Sequence, residues 1–209
     1  MRKTFSREDI LSMDKNYRVN FMNSVGGFKS ANLIGTLSSA GRENLAVFNS
    51  VLHIGANPPF LGFISRPHTT ERHTLENILD NGFFTINHIN RDIYEQAHKT
   101  ANRYPRDISE FEAVELHPEY IEGFEAPYVK ESIIKIGLKL ADKIDIKLNG
   151  TILVIGSVVK LILEEKLIAE DGYIDLHAAD TVAVASLDAY HFSNKLKRLN
   201  YAKPDDSDV

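Results

Sequence analysis

The 209-residue chain has no cysteine. That excludes disulfides, thiolate catalysis, iron–sulfur ligation and cysteine-based zinc sites. A basic surplus is missing as well, with a formal net charge of -5 and a pI of about 5.9. A nucleic-acid face needs cations enough to displace counterions, so no nucleic-acid partner is expected. A small anionic ligand needs only a few local cations. The opening stretch, MRKTFSREDILSMDKNYRVNF, holds neither the apolar region nor the cleavage site of a signal peptide. No apolar run approaches a membrane-spanning length. A cytoplasmic protein without membrane contact is the expectation. Internal repeats and low-complexity linkers are missing too. The length fits one domain over residues 1–209, with 204–209 a disordered polar tail.

Several catalytic signatures are also missing. There is no GxSxG for a hydrolase elbow and no GxGxxG for a dinucleotide fold. The eight histidines form no HExxH pattern and have no carboxylates at metal-ligand spacing, so no metal site is expected. Gly26-Gly27-Phe28-Lys29-Ser30 lacks the spacing of a phosphate loop and leads into a strand.

What is present is mostly β signal. Tyr17 to Asn23 reads as a short strand. Ser30 to Ser38 is apolar enough for a buried strand, Ala40-Gly41-Arg42 is a turn, and Asn44 to Leu52 returns as the partner. Pro58-Pro59 suits a strand beginning at Pro59 and running to Ser65. Thr74 to Asn81 is a short helix with Leu75, Ile78 and Leu79 on one stripe, Thr74 or Thr70 as N-cap and Gly82 at its end. Phe83 to Ile89 is a strand, Arg91 to Asn102 looks helical, and Tyr104 to Lys130 is irregular. Ile133 to Leu148 alternates apolar and polar residues. Asn149-Gly150 turns it into Thr151 to Leu163, which is nearly all apolar. A strand apolar on both faces must be covered by something beyond its own barrel, such as a second subunit. Gly172 to Leu176 adds a short strand, and Ala178 to Leu199 ends in a helix carrying Lys195, Lys197 and Arg198. The fold class is therefore mainly β with short helices, a closed or partly closed antiparallel barrel of Greek-key type.

Chemistry concentrates between Asn44 and Ile89. The helix N-terminus at Thr74 has unpaired N–H groups and a partial positive charge, which attract phosphate; Thr74 can donate to it and Arg72 can add a charge. The local sequence equally fits a plain N-cap and a solvated arginine. Asn49-Ser50-Val51-Leu52 interrupts an apolar strand with polar groups, which either face water or bind a flat heterocycle. Ser38, Ser39 and Arg42 surround the first turn, where turn chemistry is the simpler reading. Tyr190-His191, with the basic residues after it, forms either a wall beside a redox ring or a docking helix.

The ordered set NLIGTLSSAGRENLAVFNSVLHIGANPPFLGFI, RHTLENILDNGFFTINHI, Glu110-Phe111-Glu112 and the Ala126–Ser132 segment resembles the flavin reductase-like family with the FMN-binding split barrel. YHFSNKLKRLNYAKP resembles the C-terminus of one branch, although Leu199-Asn200 stands where that branch has Phe-Pro before Tyr201. The resemblance spans residues 20 to 204. It implies a homodimer with FMN, rather than FAD, near the subunit interface. Asn49, Ser50, Val51 and Leu52 would face the ring and ribityl chain, with Thr36 and Ser38 below. Arg72, His73 and Thr74 would hold the phosphate, Asn77 would brace that loop, and Ser65 and Arg66 would lie beside it. His191 is the one catalytic candidate. The implied activity is NAD(P)H-dependent flavin reduction, with electrons passed to an acceptor such as a partner oxygenase. An FMN-carrying electron-transfer protein without nicotinamide turnover is the alternative.

Overall fold

The computed structural model describes residues 1–192 and 194–199. Helices α1 (Arg7–Ser12) and α2 (Lys15–Val25) precede twelve strands: β1 (Lys29–Ser30), β2 (Asn32–Leu37), β3 (Glu43–Phe48), β4 (Leu52–Ala56), β5 (Pro59–Ser65), β6 (Phe83–His88), β7 (Pro118–Glu119), β8 (Tyr128–Val129), β9 (Lys135–Ile146), β10 (Thr151–Ile162), β11 (Ala183–Ala185) and β12 (Ala189–His191). Between them lie α3 (His73–Asn81), α4 (Tyr94–Lys99) and α5 (Glu110–Ala113). The mainly β expectation holds.

Seven strands form one antiparallel sheet in the order β3-β2-β6-β9-β10-β5-β4. The sheet curls until its two ends meet. There Ser50, just beyond β3, binds the C-terminal end of β5: its hydroxyl donates to the Ile64 carbonyl at 3.0 Å and accepts the Ile64 N–H at 3.2 Å. One side chain thus substitutes for a missing ladder, which makes the barrel split. A small sheet, β1-β11-β12, packs beside it. β2 is buried on both faces, so its neighbours Leu33 and Ile34 feed two separate cores. Ile34 joins Phe63, Phe84 and Leu138 inside the barrel, with Leu75 and Ile78 of α3 plugging it. Leu33 joins Leu45, Ile89 and Phe111 on the outside, under α4 and α5.

α3 forms because Leu75 and Ile78 recur on one face, and burying each contributes roughly 1.5–3 kcal/mol. It stops at Gly82, whose φ of 78° needs the left-handed freedom of glycine. Its N-cap is Arg72, not Thr74 or Thr70, and no side chain caps it through its own oxygen. Leu79 faces outward.

Several expectations are corrected. Tyr17 to Asn23 is helical because Asp14 caps the backbone N–H groups of Asn16 and Tyr17, starting α2 ahead of the expected strand. β3 ends at Phe48, since Ser50 is drawn to β5 and Leu52 opens the next hairpin. α4 is shorter than expected because the Asn90 side chain holds the Asp92 N–H in a turn ahead of it. The segment from Tyr104 to Lys130 carries α5 and the β7–β8 pair. The β9–β10 loop is wider than a two-residue turn: strands end at Ile146 and restart at Thr151, with Asn149 accepting from Thr151. Around Gly172 there is only the isolated bridge Ile168–Ile174. In place of the C-terminal helix stand β11 and β12, and 194–199 have no regular structure. β10 is not buried on both sides within one chain, because Val159 and Leu161 lie exposed toward its end. Tyr201, Lys203 and the 204–209 tail lie outside the described residues.

Candidate functional site

A cleft of about 800 Å³ opens where the ends of β3 and β5, the N-terminus of α3, the segment after α4 and the β11–β12 turn converge. That volume lies within the roughly 300–1,000 Å³ of small-molecule sites. Asn49, Ser50, Ser65, Arg66, Arg72, His73 and Thr74 line it, as the sequence suggested.

Its most distinctive feature is uncompensated positive charge. Arg66, Arg72 and Arg103 share the same end of the cleft. Burial, followed by repulsion from Arg66 and Arg103, pulls the Arg72 guanidinium below its ordinary pKa. Among the described residues none of the three has a carboxylate at ion-pair distance: of the acids nearby, Glu71 on the cleft wall meets His73, and Glu76 is taken by Arg106 and His68. Glu76 also accepts the Arg72 N–H at 2.8 Å, which folds the loop back over the start of α3. The first-turn N–H groups of α3 point the same way as the arginines.

Behind that helix end lies a buried polar network. Asn44 Nδ2 donates to Thr36 Oγ1 at 3.2 Å and to Thr74 Oγ1 at 3.1 Å, and Asn77 Nδ2 donates to Thr36 Oγ1 at 3.1 Å. Thr36 and Asn77 therefore brace α3 against β2 and β3 and do not line the cleft. Thr74 accepts on one side, which leaves its hydroxyl hydrogen for the cleft. Ser38 holds the β2–β3 turn by accepting the Arg42 N–H at 3.0 Å and lines a small side depression with His73 and Glu110. Val51 packs into the barrel core, and Leu52 is exposed at the start of β4.

The side chains of Asn49 and Ser50 are already engaged. Ser50 closes the barrel, and Asn49 Nδ2 donates to the Ser186 carbonyl at 3.0 Å. That bond holds the β11–β12 turn, where Ser186 sits at φ 55°, a left-handed value costly for serine. What segment 49–51 offers the cleft is backbone outside the ladder.

His191 packs on the Phe28 ring at 4.7 Å and is not a lining residue. Its neighbour Tyr190 is. Burial and then the Asp188 charge push the Tyr190 phenol up to about 12, and its oxygen lies 3.3 Å from His98 Nδ1. Sequence reasoning missed Arg103, Asn44, His98 and the site role of Glu110. Burial raises the Glu110 carboxyl, which accepts the Leu45 N–H at 3.0 Å and faces His73. The Arg103-Tyr104-Pro105-Arg106 run was the available signal: two cations and an aromatic in a proline-stiffened loop.

Fold and cleft together define a split-barrel protein with an arginine-lined cleft of small-molecule size. The Flavin reductase like domain family matches residues 25–181, and the chain belongs to that family. A candidate flavin reductase with split barrel domain from Shewanella frigidimarina is 50% identical, with a TM-score of 0.93 over 96% of this chain and 100% of that one. Nitrilotriacetate monooxygenase component B from Bacillus cereus shares the fold at 20% identity and a TM-score of 0.83, covering 95% and 99% of the two chains. So does the flavoredoxin of Desulfovibrio vulgaris, at 22% and 0.73 over 84% and 92%.

Proposed function

We propose that the chain is an FMN-dependent oxidoreductase of the cytoplasm that takes a hydride from NADH or NADPH and passes electrons to an acceptor, an oxygenase component being one candidate. The observation that carries this reading is the meeting of Arg66, Arg72 and Arg103 with the uncapped start of α3. Three guanidiniums crowded together without a carboxylate fit a dianionic phosphate monoester. A cofactor with one terminal phosphate suits them, which favours FMN over FAD.

FMN, when bound, accepts two electrons and a proton as hydride and releases the electrons to a second acceptor. The chain's own part is to bind and orient. Arg72, Arg66, Arg103, His73 and the Thr74 hydroxyl hold the phosphate. The free backbone of Asn49–Val51 supplies N–H donors to the ring edge. Tyr190 and His98 flank the open side, where a nicotinamide would stack. No acid–base triad is required.

The same reading includes a homodimer. On β5, a side chain at Gly62 would collide with Ile54 Cδ1 at 2.8 Å and meet Leu153 Cδ1 at 3.2 Å, so these two lie together over the outer face of the sheet. Val159 and Leu161 add further exposed apolar side chains toward the end of β10. Such a surface suits a self-complementary interface.

The test is anaerobic titration of the FMN-loaded protein with NADH and with NADPH, followed by flavin absorbance. Bleaching by either supports the enzyme. Retained flavin that neither nucleotide bleaches sinks it in favour of an electron carrier loaded by another protein.

A further inference from the structure

The helical arm ahead of the barrel lies almost wholly outside the residues matched to the family, and it contributes no fully buried residue to its own chain. No side chain of α1 or α2 is buried, and Tyr17, Met22 and Val25 are 58%, 47% and 68% exposed. The arm is nevertheless fully built. Ser6 and Asp9 form a reciprocal capping box at the start of α1. Arg18 Nη1 donates to the Leu11 and Met13 carbonyls at 2.8 and 2.9 Å, clamping the link between the helices. Phe21 meets the rings of Phe5 and Tyr17 at 5.1 and 6.1 Å. Tyr17, Phe21 and Val25 recur at i, i+4 and i+8, one apolar stripe. Helices of 6 and 11 residues are marginal in water unless a face packs on something.

The surface area says how much is unpacked. The chain exposes 13494 Å². A compact monomer of its 23.5 kDa exposes roughly 9,800 Å². The residues outside the described range, even if fully solvated, account for no more than roughly 1,800 Å² of the difference. The remainder, on the order of 2,000 Å², matches what one subunit gives up in a large permanent interface.

We propose that the α1–α2 arm is an exchange arm that closes over a second copy of this chain, seating its Tyr17–Phe21–Val25 stripe on the partner's barrel. The inference rests on the homodimer reading and deepens it. A second copy is the fitting occupant because one two-fold axis covers both unpartnered apolar surfaces, arm and outer barrel face, in equal number.

The test uses the full chain with FMN present. Sedimentation equilibrium compares it with a Tyr17→Glu, Met22→Glu, Val25→Glu variant, and hydrogen exchange follows the α2 amides above and below the dimer dissociation concentration. The expected result is a dimer, a dissociation constant raised roughly 100-fold or more in the variant, and α2 amides protected only in the dimer. An unchanged dissociation constant, with α2 exchanging as fast in dimer as in monomer, overturns the arm and leaves the homodimer standing. A parent chain monomeric at every concentration overturns both. Should the variant aggregate, the exchange data on the parent chain decide: α2 unprotected in the dimer overturns the arm.

Discussion

Arg72 sits where charge is least welcome, half-buried beside Arg66 and Arg103. A bound anion would relieve both the burial cost and the repulsion. Arg72→Gln should therefore weaken FMN about 10- to 100-fold while leaving riboflavin, which has no phosphate, unchanged in a fluorescence titration. Thr74→Ala should act in the same direction and less strongly. Unchanged FMN affinity in both would remove the phosphate assignment. Much of this site was legible, because a helix N-terminus announces itself through Arg72-His73-Thr74 and a polar strand end through Asn49-Ser50. Arg103 was missed because its run of charged and aromatic residues gives no location, and it reaches the cleft only through the path of the chain after α4. Nor could local sequence reveal that Asn49 and Ser50 spend their side chains on structure. His88 makes a different claim. Its Nδ1 is shielded from water without a partner, and burial lowers its pKa to about 4. Between about 4 and 6.5 the unfolded chain binds a proton that the folded chain refuses, so stability falls as pH drops through that window. The loss is up to roughly 3 kcal/mol. His88→Gln should flatten that slope in urea melts at pH 4 to 7, and parallel slopes would refute the assignment.

Among the elements, β5 is tied to the segment that follows β3 by two hydrogen bonds of one side chain, Ser50. Ser50→Ala should cost about 1 kcal/mol in a denaturant melt and loosen the cleft wall, seen as faster exchange of the Ile64 amide. No change in that amide would show that the closure holds without the hydroxyl. The hairpins were readable from sequence because each is a local event, an apolar run reversed by polar turn residues. β5 was read to the residue because Pro58-Pro59 fixes where it begins. α2 was misread because its helix is set by Asp14, a cap outside the apolar run. β11 and β12 were misread because β11 becomes a strand by pairing with β1, more than 150 residues earlier in the chain, and β12 then pairs with β11. That pairing leaves little trace in periodicity.

At the scale of the whole molecule, β10 accounts for both what was expected and what one chain fails to provide. Its apolar character on both faces was plain in the sequence, and its outer face remains uncovered here. Val159→Lys should shift the species observed by light scattering from dimer to monomer without unfolding the barrel; an unaltered mass would place the interface elsewhere. β9 and β10 also stand in the middle of the sheet although they come late in the chain. β6 waits for β9, and β5 waits for β10. On the ribosome, the β3-β2-β6 ribbon and the β5-β4 hairpin are made first and have no ladder between them until this long hairpin emerges and slots in as the central pair. Chains truncated before residue 150 should present two raw strand edges and be held by chaperones, whereas released chains that include β10 should close and resist protease.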